Sequence, residues 1–403
     1  MIGHGPFRYV YLIGPEANYH LMAGNPGNFR WREAFDVLVP IGGETALIVS
    51  DGLVHKRRRR LVQPAFHKKR LDAYLGFMVD YTNDTINSWR PGQRVDVYRE
   101  LRATIRRIVI RSLFGAHLTQ QADWLGANLQ VMLDFVNLLP ALQIKLNLPG
   151  APWHKTLSAR RAIDDLIYSE IRRRRAAPDE ADDVMALLLE TRDEDGDFLS
   201  DVEVRDQVVS LITAGFDTTS AAVGWAVYAM LRDPHIWARA CAECERVVGN
   251  RVPTVGDLSQ LTYLDWVISE TLRLYSPAVL GVRKAIEAFE FGGYTIPAGS
   301  RVVYSQYVTH RLPEIWPDPE AFIPERWDPA APGYRVPTPY EYVPFGGGAR
   351  RCLGAPFALM EMKAILTQLL CRTRLSLLPQ TITPTGLAAM YPKEGISVEV
   401  AQV

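Results

Sequence analysis

The 403-residue sequence has few cysteines and no excess of charge of either sign. Four cysteines are too few for a disulfide framework in a chain of this length, which favours a reducing compartment. The 45 acidic side chains balance the 45 basic ones, so we expect no nucleic-acid partner. A hydrophobic content of 48% excludes intrinsic disorder. The chain is long enough to bury a large core without a structural metal.

Targeting and membrane-spanning segments are also lacking. The first residues, MIGHGPFRYVYLIG, contain no basic stretch followed by an apolar run, so we expect no signal peptide. The stretch from Gln207 to Leu231 is long enough to cross a bilayer, with Asp217 as its only charged residue. Thr213, Thr218 and Ser220 join that carboxylate near the centre, where polar groups are costly in lipid. We therefore expect a buried helix, no transmembrane segment and a cytoplasmic protein.

Hydrophobic periodicity predicts a mostly α fold with a small β region. Residues 1 to about 50 contain short apolar runs between glycines and prolines, typical of a few strands and turns. From about residue 54 to 280, apolar residues recur three and four apart, which predicts a series of helices. Helix resumes at Cys352, and a short strand-like tail closes the chain.

The region after Pro277 differs from the helical region in its hydrophobic pattern and its proline content. Its first part alternates as a hairpin does, with Gly292 and Gly293 at the turn. Ten of the 27 prolines lie between Pro297 and Pro344, which argues against long helices and central strands there. Such a long irregular segment within an enzyme is usually functional.

The sequence FGGGARRCLGA, residues 345–355, places a cysteine where an apolar helix begins. The unpaired amides of a helix N-terminus, together with Arg350 and Arg351, would stabilise a thiolate at Cys352. The glycines would let the backbone approach a bulky planar ligand. No second Cys or His lies nearby in sequence, as zinc or an iron–sulfur cluster would require. The pattern therefore suits either a catalytic cysteine or the fifth ligand of a haem.

A second motif, AGFDTT at residues 214–219, lies in the centre of the long apolar helix. Gly215 removes a side chain where a flat group could lie against the helix. Asp217 and Thr218 place a carboxylate and a hydroxyl where charges are otherwise absent. Taken alone, this pattern is equally typical of a helix kink whose hydroxyl bonds back to the preceding turn.

Together these residues resemble the cytochrome P450 family, whose haem-binding signature matches residues 345–354. The resemblance implies one cytochrome P450 domain over residues 1–403, with a helical core and small sheets. It implies a haem b whose iron takes the Cys352 thiolate as axial ligand, with Phe345 and Gly354 flanking the site and Arg350 contacting a propionate. Only 54 residues precede His55, fewer than the family usually has, which is consistent with an N-terminus that extends further.

Further motifs follow in the family's order. His55 and Arg59 match the residues beside the haem propionates, and Arg283 matches another propionate-binding position. By the same resemblance, Thr218 hydrogen-bonds the oxygen that is activated at the haem, and Asp217 helps to deliver protons.

Two more stretches resemble family elements outside the catalytic group. Glu270 and Arg273, three residues apart on one helix, would join Arg326 of the PERW segment in a structural network. The neighbouring cations Arg57, Arg58 and Arg60 suggest, where they face solvent, a docking surface for an acidic electron-transfer protein.

The resemblance implies a haem-thiolate monooxygenase that inserts one oxygen atom from O2 into an apolar organic substrate. No nicotinamide or flavin motif is present, so we expect electrons from a ferredoxin-type donor and its reductase. A haem-thiolate gas sensor or carrier and a cysteine-nucleophile enzyme are the alternatives. A peroxide-driven relative fits less well, because those relatives commonly lack the acid–alcohol pair.

The substrate class stays open between a lipid or fatty acid, a terpenoid and a polyketide. By position in the family, the pocket would be lined by apolar segments of the chain, namely Phe35–Ile48, Leu133–Leu148, Phe216, Val279–Val282 and Ala388–Tyr391.

Overall fold

The computed structural model describes residues 9–138, 142–177, 183–386 and 389–402. The fold is 58% helix and 10% strand, which confirms the predicted α-rich class. The helices are α1 (Pro15–Tyr19), α2 (Val39–Gly42), α3 (Gly52–Val62), α4 (Lys68–Asn87), α5 (Val97–Phe114), α6 (Ala122–Val136), α7 (Pro152–Ala176), α8 (Val184–Glu190), α9 (Asp201–Arg232), α10 (Pro234–Val247), α11 (Val255–Leu258), α12 (Thr262–Leu274), α13 (Gln306–Thr309) and α14 (Ala355–Arg372).

The strands are short, and most of them lie near the two ends of the chain. They are β1 (Tyr9–Tyr11), β2 (Phe29–Arg30), β3 (Arg94–Asp96), β4 (Gly281–Ala285), β5 (Phe289–Phe291), β6 (Tyr294–Ile296), β7 (Arg301–Tyr304), β8 (Arg374–Leu377), β9 (Pro384–Thr385), β10 (Tyr391–Pro392) and β11 (Ser397–Gln402). The closing strand-like tail is confirmed, because β11 pairs antiparallel with both β3 and β8.

The chain divides into two compact units. The first consists of Met1–Arg30, Lys68–Ile105 and Asp217–Val403, and the second of Trp31–His67 and Arg106–Phe216. The division falls within α5 and within α9. One domain over residues 1–403 therefore stays a prediction.

The first unit contains a four-stranded sheet in the order β1-β7-β4-β2. Strand β1 is parallel to β7, and the other neighbours are antiparallel. The expectation that no central strand lies between Pro297 and Pro344 is wrong, because β7 pairs on both sides. The physical reason is local: residues 298–312 contain no proline, so the backbone amides of β7 remain available for pairing.

The hairpin prediction is confirmed, and the prediction for the N-terminal region is only partly right. Strands β5 and β6 pair antiparallel around Gly292 and Gly293, whose φ angles of 58° and 79° suit a two-residue hairpin turn. Before residue 50 the described chain forms β1 and β2, but short helical turns make up much of the rest. Pro15 and Pro26 each stand in the first turn of such a helix, where proline is tolerated.

The predicted long buried helix is α9, which runs for 32 residues. In the part of it that belongs to the first unit, the indole of Trp225 donates to the carbonyl oxygen of Met390 at 2.9 Å. The same ring stacks on Tyr275 with centroids 4.7 Å apart. Among the helices of the described residues, none is long and apolar enough to cross a membrane.

Glu270 lies at the centre of a buried hydrogen-bond network in the first unit. Its carboxylate and the guanidinium of Arg273 are both completely buried and form two bonds, at 2.8 and 2.9 Å. Arg326 donates to the same carboxylate at 3.2 Å, which confirms the predicted Glu–Arg–Arg network. The backbone amide of Ile323 and the indole of Trp327 add two further donors, at 3.0 and 3.1 Å. A buried charge needs such additional partners to offset its lost hydration.

A cluster of buried ion pairs lies in the second unit. Arg174 bonds Glu170 at 2.6 Å and Asp183 at 2.7 Å, and all three side chains are buried. Burial opposes ionisation of Glu170, but hydrogen bonds from the arginines of α7 lower its pKa to about 2. The run of arginines at residues 172–175 therefore includes a member of the core.

Candidate active site

The loop before Cys352 is shaped by its glycines. The Cys352 amide donates to the carbonyl oxygen of Phe345 at 2.9 Å, which closes the loop. Gly346 and Gly348 have φ angles of 66° and 60°, a region in which a Cβ is unfavourable. A Cβ on Gly348 would also lie 2.0 Å from the carbonyl oxygen of Met22. This glycine thus permits a close approach to the chain's own backbone, whereas the sequence suggested an approach to a ligand.

Helix α14 begins later than predicted. Cys352 is exposed and precedes Ala355, the first helical residue, by three positions. Pro356 lies in the first turn, where its fixed φ favours helix initiation. Gly354 is the N-cap residue, so the predicted site contains the helix boundary itself. The cysteine is therefore held by a turn at the N-terminal end of the helix, beside the exposed Arg351.

Arg283 lies on β4 with its guanidinium buried in the first unit. It donates to the carbonyl oxygen of Val282 at 2.9 Å and to the hydroxyl of Tyr304 at 3.3 Å. Gly281 makes room for that ring, because a Cβ there would lie 2.3 Å from it. The strand and the ring together fix the position of this cation.

Asp217 on α9 has a charged partner that the sequence did not reveal. Arg102, on α5 and within the same unit, donates to Asp217 Oδ1 from Nε at 3.0 Å and from Nη2 at 2.6 Å. Burial alone would lower the pKa of Arg102, but the Asp217 carboxylate raises it above its usual value. Arg102 is one of several arginines of an amphipathic helix, and no motif distinguishes it from the others. Its role became visible only through tertiary contact.

A second residue that the sequence did not single out is Glu361, on the apolar helix α14. Its carboxyl group is fully buried in the first unit. Burial raises its pKa well above the usual value, and the nearby Thr219 hydroxyl offsets only part of that shift. This shift favours the neutral form of Glu361, which lies beside the residue that follows Thr218. The sequence signal that could have identified Glu361 is a single acidic residue among the apolar residues of this helix.

His55 and Arg59 lie on α3, in the second unit, whereas the other predicted site residues lie in the first. His55 is buried and Arg59 is half-buried. The haem-binding roles of these residues stay predictions. Within the predicted pocket segments, residues 139–141 and Ala388 lie outside the described residues.

The other arginines of α3 are engaged by acids of their own unit. Arg57 bonds Asp193 at 2.6 Å and Glu203 at 3.1 Å. Arg58 lies 3.5 Å from Glu203, and Arg60 pairs with Glu194. These ion pairs neutralise much of the positive charge that suggested a docking surface.

Comparison with known proteins places these residues in a family. A family model described as Cytochrome P450 matches residues 1–400. Cytochrome P450 139 of Mycobacterium tuberculosis is 46% identical over 99% of this chain and 93% of its own length. Cyclooctat-9-en-7-ol 5-monooxygenase of Streptomyces melanosporofaciens is 34% identical over 94% of this chain and 82% of its own. The solved structure of cyanobacterial CYP120A1 with bound retinoic acid matches with a TM-score of 0.90 at 28% identity, covering 98% of this chain and 89% of that one.

The glycine loop yields a stability prediction. We expect Gly348→Ala to lower the free energy of unfolding by about 2–4 kcal/mol, because its Cβ would meet the Met22 backbone. Gly346→Ala is the matched control: it has the same kind of φ but no atom within 4 Å of the new Cβ, so only about 1 kcal/mol should be lost. Urea unfolding of both variants measures the difference. Equal losses would contradict the close contact.

Proposed function

The chain belongs to the cytochrome P450 family and is an oxidoreductase of the monooxygenase type, and on this premise we propose a substrate class, an electron donor and a role for each site residue. The proposed reaction inserts one atom of O2 into an apolar organic substrate. One observation carries the proposal: the closed glycine loop presents the exposed thiol of Cys352 at the N-terminal end of α14.

We infer that Cys352 would hold a haem b by its thiolate. The residues fit such a group, because an exposed sulfur stands on a loop fixed by the Phe345 hydrogen bond. When bound, the haem supplies the redox chemistry that activates O2, which a thiolate ligand promotes. Arg283 and Arg350 would bind its propionates with charge-assisted hydrogen bonds, as would His55 and Arg59.

The polar pair on α9 would manage protons. Thr218 would donate a hydrogen bond to the oxygen substrate, and Asp217 would pass protons toward it from solvent. The ion pair with Arg102 supports this assignment, because both nitrogens bond the same oxygen, Oδ1, and so fix the carboxylate on its helix. Arg102 is then a positioning residue that acts through Asp217.

A ferredoxin-type protein with its reductase would supply the two electrons. The support is in the sequence, which contains no nicotinamide- or flavin-binding motif from which an internal donor could be built. We propose that this donor binds the cytochrome transiently.

Among lipid, terpenoid and polyketide substrates, we propose a terpenoid. One relative is named as a 5-monooxygenase of cyclooctat-9-en-7-ol, and CYP120A1 was solved with retinoic acid bound. Both molecules are mostly apolar and carry few polar groups, which suits a pocket lined by aliphatic side chains.

Replacement of the proposed ligand tests the cofactor assignment. We expect Cys352→Ala to lose the red-shifted absorption band of the reduced, CO-bound haem that a thiolate ligand produces. Cys371→Ala, near the other end of α14, is the matched control and should keep the band. Survival of the band in Cys352→Ala would show that another residue is the ligand. A wild-type protein that binds no haem would instead favour a cysteine nucleophile.

The role of Thr218 is tested by the coupling of reductant to product. We expect Thr218→Ala to bind haem normally and to divert electrons to peroxide, with the ratio of product to reductant falling about tenfold or more. Thr213→Ala is the control, because its hydroxyl donates to carbonyl oxygens of its own helix, at 2.8 and 3.1 Å. Unchanged coupling in Thr218→Ala would remove this residue from the mechanism. The absence of any turnover by the wild type would favour a gas sensor or carrier.

The substrate class is tested by titration of the haem absorption spectrum with a panel of ligands. A diterpene alcohol and a retinoid should shift the spin state at micromolar concentrations, whereas a fatty acid and a macrolactone of similar size should not. A shift caused only by the fatty acid or only by the macrolactone would overturn the terpenoid proposal and leave the monooxygenase assignment intact.

A further inference from the structure

Three of the four cysteines lie near one another in the first unit. Helix α10 packs against α14, and its buried face carries Cys241 and Cys244, which are three residues apart. Cys371 is half-buried near the C-terminal end of α14, the helix that begins just after Cys352. Its thiol lies beside that of Cys244, and Cys241 lies within range of its charge. We call Cys241, Cys244 and Cys371 the thiol cluster.

An ion pair fixes the contact between the two helix ends. Arg374, which follows α14, donates to the carboxylate of Glu245 on α10 at 2.8 Å. The same guanidinium donates to the carbonyl oxygen of Leu370 at 3.3 Å. Glu245 directly follows Cys244 in the chain, and Leu370 directly precedes Cys371. One side chain therefore holds together the neighbours of the two cysteines.

The two thiols at this contact differ in exposure and in acidity. Cys244 is completely buried, and the contact with Cys371 together with burial raises its pKa. The same contact lowers the pKa of Cys371 more than burial and Glu245 raise it, and Arg374 adds to the lowering. Cys371 is thus the thiol that an oxidant can reach, and Cys244 lies behind it as a protonated thiol. A reactive thiol beside a second thiol is typical of a redox-sensitive pair.

Two other roles of neighbouring cysteines suit the thiol cluster less well. Among the residues that the structure describes, no group of three or more His, Cys, Asp and Glu side chains is placed to hold a metal ion. Buried cysteines that only pack are chemically inert. Cys241 fits that description, because burial raises its pKa to about 11. Cys371 does not, since it is half-buried and its pKa is lowered.

We propose that Cys371 and Cys244 are a peroxide-sensitive pair that closes reversibly to a disulfide between α14 and α10. The Cys371 thiolate attacks one oxygen of hydrogen peroxide, the O–O bond breaks, and the departing hydroxide takes up a proton to become water. The Cys244 thiol then attacks the sulfenic acid on Cys371, an S–S bond forms, and a second water leaves with the thiol proton. Two thiols lose two electrons in all, and these reduce one peroxide to two waters.

The oxidant and the reversal both follow from the setting of the protein. A monooxygenase handles O2 and electrons, and two-electron reduction of O2 without product formation yields hydrogen peroxide. The disulfide joins two helices that are far apart in sequence, which restricts the unfolded chain and stabilises the fold. Small thiols such as glutathione reopen it, as they do other transient disulfides of reducing compartments. The proposal does not depend on the substrate class or on the residues that would hold the haem.

Disulfide mapping of the haem-loaded full chain tests the proposal. The protein is treated with a few equivalents of hydrogen peroxide, free thiols are blocked with N-ethylmaleimide, and trypsin then releases residues 240–246 and 364–372 as two peptides. We expect the two peptides to be joined after oxidation, at least about tenfold more than in the untreated protein, and dithiothreitol to separate them. Oxidised wild-type protein without the joined peptide would overturn the proposal.

Single replacements assign the two sulfurs, because both cysteines of α10 lie in one peptide. C244A and C371A should each lower the yield of the joined peptide at least about tenfold, whereas C241A, the matched control on the same helix face, should keep it. In C244A, dimedone should label Cys371, since its sulfenic acid has no partner thiol. Circular dichroism and the unfolding midpoint verify that each variant is folded. A joined peptide that survives in C244A, or a disulfide within residues 240–246 of the wild type, shows that the pair is wrong.

Discussion

The buried carboxylate of Glu270 is the interaction on which the architecture around Cys352 depends. Five donors converge on its two oxygens, and its partner Arg273 also donates to three backbone carbonyls between residues 310 and 321. His310, fully buried, accepts from the amide of Val343, two residues before Phe345. Burial lowers the pKa of His310 to about 3, so the ring is neutral and can act as this acceptor. Helix α12 thus holds, through one ion pair, the irregular chain that leads to the cysteine loop.

That arrangement explains how a proline-rich segment can be held in place without regular secondary structure. Apart from β7 and the short α13, residues 298–344 contain little regular structure, so many of their backbone groups lack partners from a ladder or a helix. The side chains of Arg273 and His310 form hydrogen bonds with several of these backbone groups instead. Removing one member of the buried pair would leave the other uncompensated, which makes each of them more important to stability than their mutual attraction alone suggests.

Much of this molecule could be predicted from local sequence patterns. Helices α4, α5, α7 and α12 follow from apolar residues three and four apart, and the hairpin follows from Gly292 and Gly293. Glu270, Arg273 and Arg326 were grouped through motif resemblance, and the structure brings them together as expected. The patterns failed where the cause is not local. Strand β7 exists because it is paired on both sides, and a count of prolines cannot detect that.

The ion pair of Asp217 with Arg102 and the raised pKa of Glu361 could not be predicted either, because both depend on tertiary contacts. Arg102 precedes Asp217 by more than a hundred positions. A contact between two helices so far apart in the chain produces no pattern in the sequence of either helix. The sequence did show charges segregated between residues 55–70 and 179–206. It did not show that Arg57 and Arg60 meet Asp193, Glu194 and Glu203 within one unit. The neighbouring cations Arg57, Arg58 and Arg60 had suggested a docking surface for a partner protein, but in the structure they form ion pairs with acids of their own unit.

The contact of Gly348 with Met22 has a consequence for the order of folding. Residues 20–24 form a turn near the start of the chain, and the glycine loop rests on their backbone. A contact between residues so far apart closes a long loop, which is slow and comes late. During synthesis, the loop that ends in Cys352 cannot pack against Met22 until residues 345–352 have been made, long after residues 20–24. The thiol therefore reaches its final position only after these two distant parts of the chain have met.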